Sequence, residues 1–153
     1  MYIAVVGAGE CGRSLEDLAY RTGLEIAKRG HVLVCGGLGG VMAAAARGAH
    51  DAGGVSVGIL PDAGRSRASR WLTVSIPTDM GQARNALVVL AGDAVIAVGG
   101  GYGTLSEIAL GLKMGRTVVG LDTWDLGRRG PAAEGIVLAD DPAQAVDIVE
   151  RST

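Results

Sequence analysis

The run GGGYGTLSE at 99–107 lies between an apolar strand pattern, AVIAV, and a helix pattern, IALGLKMG. Gly100, Gly101, Tyr102 and Gly103 lead to Thr104 at the helix start, so consecutive backbone N–H groups and the positive helix end can enclose a phosphate. A Walker A loop needs G-K-S/T here. The chain's only lysines, Lys28 and Lys113, stand late on helix patterns, which excludes a P-loop NTPase. Glu107 has two readings. As structure, Thr104-x-x-Glu107 is a capping box contributing about 1 kcal/mol at most, and Glu107→Gln would then leave stability nearly unchanged. As chemistry, it is a carboxylate one turn from an anion-binding helix end, suited to developing positive charge or to a ligand hydroxyl. Arg84, in MGQARN at 80–85, shares a helical face with Leu87, Val88 and Ala91. A buried guanidinium there requires an anionic partner, either a protein carboxylate or a bound phosphate.

A second glycine pattern opens the chain. AVVGAGECGRS at 4–14 holds Gly7, Gly9 and Gly12 in the spacing G-x-G-x-x-G. A dinucleotide site would add an acidic residue about 20 residues on, at the end of the second strand. That strand instead ends Val34-Cys35-Gly36-Gly37. The nicotinamide reading therefore falls, and Gly7 and Gly9, with Gly36, Gly37 and Gly39, become walls of a ligand pocket. PDAGRSRASR at 61–70 carries Arg65, Arg67 and Arg70 and reads as a solvated loop in preference to an arginine lid over a phosphate. Cys11 and Cys35, without a C-x-x-C or a histidine cluster, read as small buried hydrophobes, and no metal site is expected.

These residues need elements to hold them. Tyr2–Val6, His31–Cys35, Val55–Leu60, Leu72–Ile76, Ala94–Val98 and Thr117–Leu121 read as strands, nearly all apolar, which means burial on both faces of a parallel sheet. Helices fit at Ser14–Arg29, Gly40–Ala52, Asp79–Ala91, Thr104–Met114 and Asp141–Arg151. Their starts are marked by Ser14 with Asp17, Asp79 with Gln82, Thr104 with Glu107, and Asp141 before Pro142. The pattern predicts one doubly wound α/β domain over 1–153 with a mainly parallel sheet. Ligands in such sheets sit beyond the carboxyl ends of the strands, where strand order reverses.

Bulk properties narrow the partners. Fourteen basic and 16 acidic residues give a net charge of −2, with no electrostatic footprint for nucleic acid or an anionic membrane. The apolar runs are short and broken by glycine, far below the roughly 20 residues of a membrane span. No basic n-region precedes the first strand, so a cytoplasmic protein with a small phosphorylated ligand is expected.

The set CGGLGGVMAAAARGA at 35–49, MGQARN at 80–85 and GGGYGTLSE at 99–107 resembles the lonely-guy and molybdenum-cofactor-carrier-like families of small Rossmann-type proteins, over most of the chain. In lonely-guy enzymes the pattern P-G-G-x-G-T-x-x-E, with an arginine on the preceding helix, serves release of a base and ribose 5-phosphate from cytokinin nucleotides. The resemblance then implies a phosphate loop at Gly100, Gly101, Gly103 and Thr104, and a catalytic pair, Glu107 and Arg84. Two positions depart from that pattern: Gly99 replaces proline, and Asn85 follows the arginine in place of lysine. Both look more like the carrier-like branch. The first expectation is hydrolysis of a nucleoside 5′-monophosphate at its N-glycosidic bond, with no cofactor required. The alternative is a non-catalytic carrier of a phosphorylated cofactor such as molybdopterin. A DNA-processing relative ranks last. The resemblance also implies a homodimer or higher even oligomer, as does the largely apolar 79–91 helix.

Overall fold

The computed structural model describes residues 1–126 and 135–152. In chain order these form β1 (Tyr2–Gly7), α1 (Arg13–Lys28), β2 (Val32–Cys35), α2 (Gly40–Asp51), β3 (Ser56–Leu60) and β4 (Val74–Pro77). A 3₁₀ turn (Gly81–Arg84) then leads into α3 (Asn85–Ala91), β5 (Ala94–Val98), α4 (Tyr102–Lys113), β6 (Thr117–Leu121), β7 (Val137–Leu138) and α5 (Pro142–Ser152). The sheet runs β4-β3-β2-β1-β5-β6-β7. Every pairing is parallel, with Ile3 beside Leu33 on one side of β1 and beside Ala94 on the other. Strand order reverses between β1 and β5, so the chain winds first in one direction from the centre and then in the other. This is the doubly wound α/β architecture.

Burial follows the winding. Ala19 and Ile26 of α1, Val41 and Ala45 of α2, and Val146 of α5 form one core cluster with Ile3, Val5 and Ile96 of the sheet. Val88 and Val89 of α3 and Ile108 of α4 pack on the other face against Ala4, Val6 and Val95. β5 is buried at all five positions, as a strand covered on both faces must be. α1 and α2 touch backbone to backbone. A Cβ on Gly23 would lie 1.9 Å from the Ala45 carbonyl oxygen, and one on Gly48 would lie 1.9 Å from that of Tyr20. At the amino edge of the sheet, Arg29 is paired with Asp147 and Glu150, and His31 Nε2 lies 2.7 Å from Glu150, which ties α5 to the end of α1.

The structure departs from the sequence expectations in local ways. Asp79 and Gly81 take positive φ, 56° and 54°, so the expected 79–91 helix opens as a turn, continues as 3₁₀, and is α-helical only from Asn85. β7 was not expected, because two exposed residues are too short for a hydrophobic pattern. The cap at Asp141 is present: its carboxylate accepts from Gln144 N–H at 2.9 Å, with Pro142 at the first helical position. The other three expected caps are absent. α1 is capped by Gly12 and the 79–91 segment by Met80, neither with a side-chain hydrogen bond, and α4 is capped by Gly101 and starts at Tyr102, two residues before the expected start at Thr104. Among the described residues, no helix is long and apolar enough to cross a membrane.

Candidate functional site

At the carboxyl edge of the sheet, α1, α2 and α4 each begin on a glycine, Gly12, Gly39 and Gly101, and none has a side-chain cap. Their first-turn N–H groups stay free of side-chain acceptors, which is the local condition for capping by an anion instead. Sequence rules that look for Ser or Thr misplace the caps of α1 and α4, whereas α2 starts at Gly40 as expected.

The 99–104 turn is built around two strained glycines. Gly99 has φ 54°, and a Cβ there would meet Leu15 Cδ1 at 2.6 Å. Gly100 has φ 119°, and a Cβ would lie 2.4 Å from that of Thr104, which is buried beneath the turn. Gly101 and Gly103 face open space. Residues 123 and 124 brace the turn: Thr123 Oγ1 donates to the Gly99 carbonyl, and Trp124 Nε1 donates to that of Gly101 at 3.3 Å. Tyr102 is 84% exposed, its ring 6.0 Å from that of Trp124.

Glu107 is not a cap. With α4 starting at Tyr102, its carboxylate stands more than one turn inside the helix, 6% exposed, and no hydrogen bond or ion pair joins it to any described residue. Burial pushes its pKa up to about 7, partly offset by the Arg84 charge. Arg84 is 7% exposed. Its Nη1 donates to Asn85 Oδ1 and its Nη2 to the Gly36 carbonyl at 3.2 Å. Both acceptors are neutral, and Nε has no partner. Burial lowers the Arg84 pKa from its ordinary value, with Glu107, Cys35 and Asp62 acting the other way. Cys35, fully buried beside this pair, has its thiol pushed up to about 11 by burial, so it is a neutral neighbour.

The first two glycine turns play unequal parts. Gly7 closes the switch point: a Cβ would meet Val41 Cγ1 at 2.4 Å and the Val98 oxygen at 2.7 Å, so its role there is packing. Gly37, with φ 75°, packs against Leu60. Gly36 lets Arg84 approach, since a Cβ would lie 2.6 Å from Nη2. Gly9 is exposed, and Gly39 sits against its carbonyl. The structure therefore brings Arg84, Glu107 and Gly36 together, with Gly9 and Gly39 at a neighbouring turn. The arginines of 61–70 are engaged elsewhere: Arg67 Nε donates to Asp62 at 2.9 Å, Arg65 Nε to the Ser75 carbonyl at 3.1 Å, and Arg70 lies over the Trp71 ring. Asn85, singled out in the sequence as a departure from the lonely-guy pattern, is the side-chain acceptor of Arg84. Thr123 and Trp124 are the structural partners that sequence reasoning missed.

Fold, switch point and glycine-capped helix starts define a doubly wound domain of the Rossmann type. The chain belongs to the SLOG cluster4 family, whose model matches residues 1–146. A protein of unassigned function from Archaeoglobus fulgidus is 46% identical over 147 residues, 96% of this chain and 93% of that one. Among solved structures, the molybdenum cofactor binding protein from the phototrophic bacterium Rippkaea orientalis is 36% identical with a TM-score of 0.93, covering 99% of this chain and 96% of its own. The molybdenum cofactor carrier protein from Chlamydomonas reinhardtii is 33% identical with a TM-score of 0.87, covering 98% and 96%.

Proposed function

We propose that the chain is a carrier that binds a phosphorylated cofactor of the molybdopterin kind without turning it over, the phosphate resting on the 100–104 turn at the start of α4. The carrying observation is Arg84, a buried guanidinium with neutral acceptors and one unpartnered nitrogen. Such a group is poorly compensated until an anion approaches, and its charge is then far stronger than it would be in water. The similarity to cofactor-binding proteins across nearly the whole chain supports the same reading. It displaces hydrolysis, the first expectation from sequence, to second place.

Hydrolysis keeps one specific support. Arg84 and Glu107, the pair that the lonely-guy resemblance makes catalytic, are both buried and electrostatically coupled. One experiment addresses both readings. The protein is incubated with molybdopterin and, separately, with nucleoside 5′-monophosphates. Pterin retained through gel filtration in a fixed ratio to protein, with no free base or ribose 5-phosphate released, is the expected result. Base release that disappears in Glu107→Gln would establish the hydrolase instead.

A further inference from the structure

A cleft of about 340 Å³ opens beside the glycine turns, outside the Arg84–Glu107 site. Its walls include Gly9 and Glu10 of the β1–α1 turn, Glu16 of α1, Gly40 and Arg47 of α2, and Trp71 of the segment before β4. We infer that this cleft seats the ring end of the ligand, a fused heterocycle with a 2-amino-4-oxopyrimidine edge as in pterins and guanine, whose phosphate end lies on the 100–104 turn. The inference rests on the proposed carrier function and specifies the ligand's second contact.

Three observations carry it. First, Glu10 and Glu16 form no hydrogen bond or ion pair with any described residue, so two acceptor groups line the cleft unused. Arg47 stands with them; its guanidinium lies 4.9 Å from the Tyr20 ring and is not paired with a carboxylate. Acceptors beside a donor match the edge of a 2-amino-4-oxopyrimidine, where two adjacent N–H donors stand next to a carbonyl. Adenine presents a ring-nitrogen lone pair at that edge, which a carboxylate repels. Second, the indole of Trp71 supplies an aromatic wall in a cleft otherwise lined by backbone and small or charged side chains, at the lower end of ligand-pocket volumes and suited to one bicyclic ring. Third, the cleft adjoins the buried pair. Met42 spans the distance: its Cε lies 3.9 Å from where a Gly9 Cβ would be, and its Sδ lies 2.7 Å from where a Gly36 Cβ would be, a point that is also 2.6 Å from Arg84 Nη2.

The chain's two tryptophans stand at the two ends of this arrangement, Trp71 on the cleft and Trp124 on the phosphate turn. Trp124→Phe leaves Trp71 as the indole reporter, and Trp71→Phe leaves Trp124. Each variant is titrated with GMP, AMP, 6-hydroxymethylpterin phosphate and ribose 5-phosphate, with excitation on the red edge of the indole band. Trp124 should respond to all four. Trp71 should respond to GMP and the pterin phosphate at concentrations about tenfold or more below those needed for AMP, and not to ribose 5-phosphate. By calorimetry, the double variant Glu10→Gln, Glu16→Gln should lose about tenfold in GMP and pterin phosphate affinity and keep its ribose 5-phosphate affinity. Tighter binding of the pterin phosphate than of GMP identifies the pterin as the source of the edge, and the reverse order identifies a guanine nucleotide. Equal Trp71 responses to AMP and GMP, or unchanged GMP affinity in the double variant, would overturn the inference. A silent Trp124 beside a responsive Trp71 would overturn the phosphate placement alone and leave the ring site standing.

Discussion

Glu107 sets a pH dependence whose sign follows from burial. Its carboxyl, near 4.5 in the unfolded chain, titrates at about 7 when folded, chiefly through desolvation. Below about pH 4.5 both states are protonated and burial exacts no electrostatic penalty. As pH rises through 7 the folded state must hold a buried charge, so stability present at low pH is lost, by an amount on the order of 3 kcal/mol. Glu107→Gln should therefore raise the melting temperature at pH 8 and leave it unchanged at pH 4, which thermal denaturation at the two pH values will check. The capping-box reading, with its expectation of little effect at any pH, is corrected by the helix starting at Tyr102. Binding of ribose 5-phosphate should weaken as Glu107 ionises between pH 6 and 8, and that slope should flatten in Glu107→Gln. Arg84→Met, close in volume and uncharged, separates function from packing. Anion affinity should fall at least about tenfold by calorimetry, and the melting temperature should fall more at pH 8, where ionised Glu107 loses its partner charge, than at pH 5, where Glu107 is protonated.

At the scale of elements, the strands were legible because continuous apolar runs admit little else, and β5 and β6 match their expected bounds. The glycine turn before α4 was legible for a similar reason: three glycines and a following helix pattern restrict the backbone strongly. Helix starts were less so. Capping rules reward side-chain oxygens; the Gly40 start of α2 is as expected, but α1 and α4 are capped by bare glycines in place of Ser14 and Thr104, so α4 starts at Tyr102 and Glu107 moves from cap to core. The Arg84 guanidinium could be placed near a buried face from its neighbours, but its acceptors, a side-chain amide and a carbonyl from another turn, depend on tertiary approach. Helix contacts make a separate prediction. Gly23 and Gly48 sit where α1 and α2 meet backbone to backbone, so a methyl at either position has no space without separating the helices. Gly48→Ala should destabilise by about 1–3 kcal/mol despite alanine's better helix propensity, as read by denaturant unfolding.

For the whole molecule, α3 and α4 leave apolar surface uncovered. Leu90 on α3 is 58% exposed, with Met114 just past α4 also exposed. We expect a homodimer or higher even oligomer through this face. Light scattering at micromolar concentration should give at least twice the chain mass, and Leu90→Glu should halve it.

The strand order also governs how the molecule can be made. β1, which is synthesised before the other six strands of the sheet, ends in the middle of the sheet, with Ile3 beside Leu33 on one side and Ala94 on the other. A nascent chain can complete the β1–β2–β3 half early, yet the second edge of β1 stays unpaired until β5 has been synthesised. An open, fully apolar strand edge is a template for wrong pairing. Vectorial synthesis thus exposes the centre of the sheet longest, and stalling before Ala94 should make the emerging chain a target for holdase chaperones that release it once β5 arrives.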